Sequence, residues 1–187
     1  SMGQYIYSSG ENELYVNLFI SNQAEIDLAK RTVKVSIETR FPFENEIHIA
    51  VDRVPAEGMK LAVRIPDYAR GYKIMSAGNE ADYKEEKGYA VLMLSEDAEL
   101  TVSFEAPARF VRANPNVRAD CGKAAVTKGP LVYCLEEIDN GKNLSELYVD
   151  TKQKIEEVDS ELFGGITELI IKGKRIDEEA WSSGELY

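Results

Sequence analysis

A chain of 187 residues and 20.9 kDa, 44% hydrophobic and 29% charged, has ordinary globular composition and room for one substantial core or two smaller ones. A net charge of −11 and a pI near 4.7 repel phosphate backbones and anionic headgroups, so neither nucleic acid nor a membrane surface is an expected partner. No apolar run approaches the roughly 20 residues of a membrane-spanning helix.

The opening SMGQYIYSSG has neither the basic start nor the apolar stretch of a signal peptide. It reads as the remnant of an expression tag running into the middle of a longer protein, and a bacterial cytoplasmic setting is the expectation. From there apolar and polar residues alternate, the period of a half-buried strand. ELYVNLFI sets Leu14, Val16 and Leu18 on one face and Tyr15, Asn17 and Phe19 on the other. TVKVSIETR turns Val33, Val35 and Ile37 inward and Lys34, Ser36 and Glu38 to solvent. EIHIAVD repeats the pattern with Ile47, Ile49 and Val51, and MKLAVRIPDY, GYKIMSAG, GYAVLML and AELTVSFEAP continue it. Turn-forming clusters (SNQ, FPFEN, VPAEG, SAGNE) separate these runs. The pattern predicts an all-β chain beginning with an antiparallel, jelly-roll-like β-sandwich.

A boundary is expected where the strand ending at Phe104 meets Pro107, with Pro115 between two asparagines further on. The first module is then 1–108. The second, 109–187, is shorter, β-rich and incomplete as a sandwich if its last strands are missing. In it KAAVTKGPLVYCLE reads as two strands joined through Gly129-Pro130, followed by SELYVD and ITELIIKGKRI. One segment has helical spacing, Ile155, Val158 and Leu162, halted by Gly164-Gly165. The tail, IDEEAWSSGELY, is acidic and unpatterned.

Few side chains are set out for chemistry. Cys121 and Cys134 stand as C-x12-C beside a single histidine, His48, and three ligands do not make a structural zinc site. Cys134, among apolar neighbours, reads as a small hydrophobe, and a disulfide between the two stays open. His48 alternates with inward isoleucines and so points outward, with no nucleophile in a recognisable setting nearby. The pairs Glu85-Glu86, Glu136-Glu137, Glu156-Glu157 and Glu178-Glu179 would point to opposite faces of a strand and do not make an acid and base couple. No catalytic, metal-binding or cofactor-binding residue is therefore expected in this chain. Of the exposed aromatic candidates, Tyr68, Tyr72 and Trp181 are those that could stack on sugar rings, against the default of core packing.

The segment ARFVRANPNVRADCGKAAVTKGPLVYCLEEIDN resembles a late stretch of the glycoside hydrolase 127 family, the β-L-arabinofuranosidase-like proteins. The counterparts are Ala113 to Pro115, Gly122 to Ala125 and, most specifically, Gly129 to Glu136. GQYIYSSGENELYVNLFISNQAEI, TRFPFENEIHIAVD, KLAVRIPDYA and GYAVL are similar to earlier strands of the family in the same order, so the resemblance covers nearly the whole chain. It implies a parent whose large N-terminal (α/α)6 barrel carries a zinc-bound cysteine nucleophile in a Cys-Cys-Pro-Pro-Asn-like motif, followed by two β-sandwich modules. That motif has no counterpart here, so no catalytic or zinc-binding role transfers to Cys121, Cys134 or any other residue. Phe43 and Glu44-Asn45 stand where many relatives have Trp and an Asp-Gly turn. The chain also stops at Gly184-Glu185-Leu186-Tyr187, where relatives continue into further strands. The resemblance implies a non-catalytic C-terminal region that packs on the barrel. An exposed sheet edge or apolar face could also pair two copies, and binding of arabinose-containing glycans is the alternative role.

Overall fold

Eleven strands make the first part of the chain, seen in a computed structural model that describes residues 2–29, 31–161 and 164–176. They are β1 (Tyr7–Ser9), β2 (Glu13–Val16), β3 (Asn22–Leu28), β4 (Arg31–Thr39), β5 (Glu46–Asp52), β6 (Met59–Arg64), β7 (Arg70–Ser76), β8 (Asn79–Glu80), β9 (Lys84–Glu86), β10 (Tyr89–Leu94) and β11 (Ala98–Glu105). Two sheets result, a five-stranded one ordered β1-β2-β6-β10-β9 and a six-stranded one ordered β3-β4-β5-β11-β7-β8. All neighbouring pairs are antiparallel except β2 with β6. The chain divides into two units, Ser1–Ala106 and Pro107–Tyr187.

The core of the first unit lies between its two sheets, where the alternating pattern demanded it. Val33, Val35 and Ile37 of β4, Ile47, Ile49 and Val51 of β5, and Leu100 and Val102 of β11 meet Leu14, Val16, Leu61, Val63, Leu92 and Leu94 from the other sheet. Each such side chain contributes about 1.5–3 kcal/mol on burial. This is an all-β sandwich, as the alternation predicted. Gly58 turns the chain into β6 at φ +79, and a Cβ there would lie 2.9 Å from the Leu94 carbonyl oxygen. Only glycine meets both demands without strain.

Two readings of the first half need correction. The ELYVNLFI strand ends at Val16, and beyond it the chain carries Phe19 into the core at 6% exposure, against rings of Phe41 and Phe104. The SNQ cluster is not wholly a turn, because Asn22 and Gln23 open β3 opposite Ile37 and Ser36. Here the backbone pairing with β4 outweighs the local preference of Asn and Gln for turns.

The second unit has β12 (Ala108–Arg112), β13 (Ala124–Lys128), β14 (Leu131–Tyr133), β15 (Leu147–Val149), β16 (Glu156–Ser160), β17 (Ile166–Ile170) and β18 (Gly173–Arg175). They form one three-stranded sheet, β12-β13-β14, and two pairs, β15-β18 and β16-β17. The hairpin through Gly129-Pro130 is as expected. The helical reading of Ile155, Val158 and Leu162 is not: Glu156–Ser160 is a strand paired residue by residue with Ile166–Ile170. Val158 faces Glu168 across that pair, so the spacing of three was not a helix face, and Leu162 lies outside the described residues. The one α-helix among the described residues is α1 (Glu137–Asn140), a single turn. Polar ties hold the small sheets together. Glu157 accepts from the Ala108 amide at 2.8 Å and from Lys128 at 2.5 Å, and the Tyr133 hydroxyl donates to the Thr167 carbonyl at 2.9 Å. Among the described residues of this unit only Ile155 is a buried apolar side chain.

Candidate functional site

The aromatic candidates converge on one residue. Tyr68 and Tyr72 lie 6.4 and 6.0 Å from Phe104, centroid to centroid, and Tyr72 and Tyr83 meet edge to face at 6.1 Å. Tyr72 lies parallel to Phe104, so one of its faces is occupied, and its hydroxyl donates to the Arg64 carbonyl at 3.4 Å. The register explains the meeting. Ser103 pairs with Lys73 but Glu105 with Arg70, so Gly71 and Tyr72 together oppose Phe104 in a bulge, with Gly71 at φ +58. Burial pushes the Tyr72 phenol far above its ordinary value. It also raises that of Tyr68, where the nearby Arg64 charge pulls the other way. Both tyrosines are partly buried and packed against the core. Trp181 lies outside the described residues.

A second cluster, on the face of the five-stranded sheet turned away from the core, was not singled out by the sequence. Alternation along β6 sends Leu61 and Val63 to the core and Lys60, Ala62 and Arg64 outward. The register sets Tyr15 and Val91 on either side of Ala62. Tyr15 meets Tyr89 edge to face at 5.3 Å, its hydroxyl donates to Glu13 Oε2 at 2.8 Å, and the Lys60 ammonium lies 3.2 Å from the same carboxylate and 5.5 Å from the Tyr15 ring centroid. Glu86 approaches Lys60 to 3.9 Å, and the Tyr89 hydroxyl donates to Asn17 Oδ1 at 2.9 Å. Hydrogen bonds from Tyr15 and Lys60 hold the Glu13 carboxyl below its ordinary range. Hydrogen bonds to Glu13 and Tyr15 in turn raise Lys60. The available signal was that Tyr15 and Tyr89 both sit at outward positions of alternating strands, but their adjacency depends on β6 lying between β2 and β10.

The remaining candidates stand apart. His48 points outward as expected, with Nδ1 3.2 Å from Thr101 Oγ1 and Nε2 3.2 Å from Glu46. Cys121 and Cys134 are free thiols, and both are exposed. Cys134 is therefore not the buried hydrophobe its neighbours suggested, because β14 ends at Tyr133, before it. Cys121 lines an open cleft of about 490 Å³ in the second unit, with Arg112, Asn114, Asp120, Lys123 and Thr151. Among the described residues no three His, Cys, Asp or Glu side chains come together as a group able to hold a metal ion. Glu178-Glu179 lies outside those residues. No helix among the described residues is long and apolar enough to cross a membrane.

Residues 13–108 match the family profile described as the middle domain of β-L-arabinofuranosidase, GH127, and residues 108–175 match the glycoside hydrolase family 127 C-terminal domain. The chain is 32% identical over 153 residues to a non-reducing end β-L-arabinofuranosidase of Bifidobacterium longum, covering 77% of this chain and 23% of that protein. In structure it is similar to a GH127 β-L-arabinofuranosidase from Geobacillus stearothermophilus T6, with a TM-score of 0.85 and 34% identity over 100% of this chain and 30% of that one. A structure described as a GH127 β-arabinofuranosidase gives a TM-score of 0.75 at 26% identity, covering 92% of this chain and 33% of that one. The chain thus spans about a quarter to a third of the length of these relatives. It belongs to glycoside hydrolase family 127, of which it carries the middle and C-terminal domains.

Proposed function

We propose that this chain is the non-catalytic β-sandwich region of a β-L-arabinofuranosidase-like glycoside hydrolase, and that it supports an N-terminal catalytic barrel. One observation carries the reading: the chain accounts for domains named middle and C-terminal, and for only 23–33% of its relatives' length. For the whole protein the proposed reaction is zinc-dependent, retaining hydrolysis of terminal β-L-arabinofuranosides in a bacterial cytoplasm. The described residues of this chain do not fit a zinc site, since Cys121, Cys134 and His48 join no metal-binding group, and no catalytic step is assigned to them.

The test compares the 187-residue chain with the whole enzyme on an aryl β-L-arabinofuranoside. The whole enzyme is expected to release L-arabinose and to lose that activity to a chelator, while the chain alone releases none. Hydrolysis by the chain that survives Cys121→Ala and Cys134→Ala would overturn the reading. Calorimetric titration of the chain with L-arabinose and β-L-arabinofuranosyl oligosaccharides, to millimolar sugar, covers the competing role as a glycan-binding module. Saturable heat abolished by Tyr68→Ala would favour that role, and absence of heat is expected.

A further inference from the structure

We propose that the outer face of the five-stranded sheet, around Ala62 and Met93, is the surface that docks against the domain preceding the middle domain in the whole enzyme. The inference rests on the supporting role proposed above and names the surface that performs it.

The two outer faces of the sandwich differ in kind. On the six-stranded sheet the outward positions of β4 and β5 carry Thr32, Lys34, Ser36, Glu38, Glu46, His48 and Asp52, with Ala50 the one apolar side chain among them, a composition suited to water. On the five-stranded sheet the outward positions carry Tyr15, Ala62, Tyr89, Val91 and Met93 as a contiguous group, with Glu13, Lys60, Arg64, Lys84 and Glu86 around it. Ala62 is 0% exposed although it lies on the side away from the core, already roofed by its neighbours. Met93, across from Lys60 on the next strand, is 73% exposed in mid-strand. Large apolar side chains contiguous on one sheet face mark an interaction surface.

The charges beside Tyr15 are already matched. Lys60 sits between Glu13 and Glu86, Tyr15 is bonded to Glu13, and Tyr89 to Asn17. Covering that part of the face would desolvate paired groups rather than lone ones, which lowers the cost of burying it. The occupant follows from connectivity. The family profile names these residues the middle domain, so a domain precedes them in the enzyme, and the relatives extend well beyond the length matched here. The polypeptide enters the sandwich through β1, which is the edge strand of this same sheet. A preceding domain is therefore tethered beside this face.

Methionine oxidation by hydrogen peroxide, read by mass spectrometry, tests the proposal without a mutation, because Met59 at 0% exposure is an internal control. Met93 should oxidise readily in the 187-residue chain and about tenfold more slowly in the whole enzyme, while Met59 is slow in both. Equal rates for Met93 in the two proteins would overturn it. Protection of Met93 in the short chain that grows with concentration would assign the face to a second copy and also overturn it. Hydrogen exchange on the same two proteins separates this failure from that of the supporting role. Protection gained on β4 and β5 instead would remove this surface and keep the role, whereas no protection anywhere would remove both. As a second reading, Met93→Glu should lower the Tm of the whole enzyme while Lys34→Glu on the other face leaves it unchanged.

Discussion

The rings of Tyr72 and Phe104 lie within 10° of parallel with their centroids 6.0 Å apart. The bulge that sets Gly71 and Tyr72 opposite Phe104 makes this pairing possible, and Phe19, Phe41 and Tyr68 close around it. Phe104 is thus the hub of the aromatic end of the core. Phe104→Ala should destabilise the chain by about 3–5 kcal/mol through loss of buried ring area and the cavity left behind. Tyr72→Phe removes only a long hydrogen bond and should cost no more than about 1 kcal/mol. Urea unfolding followed by tyrosine fluorescence measures both; similar losses for the two variants would contradict the hub.

Glu157 links two small sheets of the second unit. Burial pushes its carboxyl up, but the Ala108 amide, the Lys128 hydrogen bond and charge, and the Lys154 charge outweigh it and hold the group below its ordinary range. A carboxylate whose folded value is depressed adds stability above its unfolded value and loses it as pH falls through the folded one. Between about pH 5 and pH 3 the native chain should therefore lose more stability than Glu157→Gln does. Hydrogen exchange of the Ala108 amide across that range reads the effect locally, and parallel curves for the two proteins would refute it.

Gly58 offers a test of backbone geometry. At φ +79, with a Cβ position 2.9 Å from the Leu94 carbonyl, Gly58→Ala meets both backbone strain and a clash with main chain. A loss of about 1–3 kcal/mol is expected. Gly78→Ala, at the same φ but in open space, should lose less. Thermal unfolding of the two variants side by side decides whether the clash adds to the strain.

Much of the sandwich was legible because its strands are half buried. In β4 and β5 each inward Val or Ile is flanked by residues that must face water, and no other structure satisfies that alternation. Strands that bury nothing left no such trace: Asn79–Glu80 and Lys84–Glu86 are wholly exposed and polar, and their sequence reads as a turn. Ile155 and Val158 misled for the opposite reason, since two apolar residues three apart fit a helix by chance while cross-strand pairing decided the outcome. The cluster around Tyr15 and Tyr89 was illegible because its members come from strands remote in sequence. The order of strands in a sheet is set by packing that no local pattern encodes.

That strand order also constrains how the chain acquires its structure. β2 pairs with β6 in parallel, Glu13 opposite Lys60, and between them in sequence lie β3, β4 and β5, which belong to the opposite sheet. The β3-β4-β5 meander can zip up from neighbouring segments, but the five-stranded sheet must wait until the chain has looped around it. Closing that loop costs entropy before any contact repays it. The rate of folding should accordingly be set by the arrival of β2 at β6, in the slow range of about milliseconds to seconds typical of non-local β topologies. The same pairing that completes the sandwich last is the one that brings Tyr15, Lys60 and Tyr89 together.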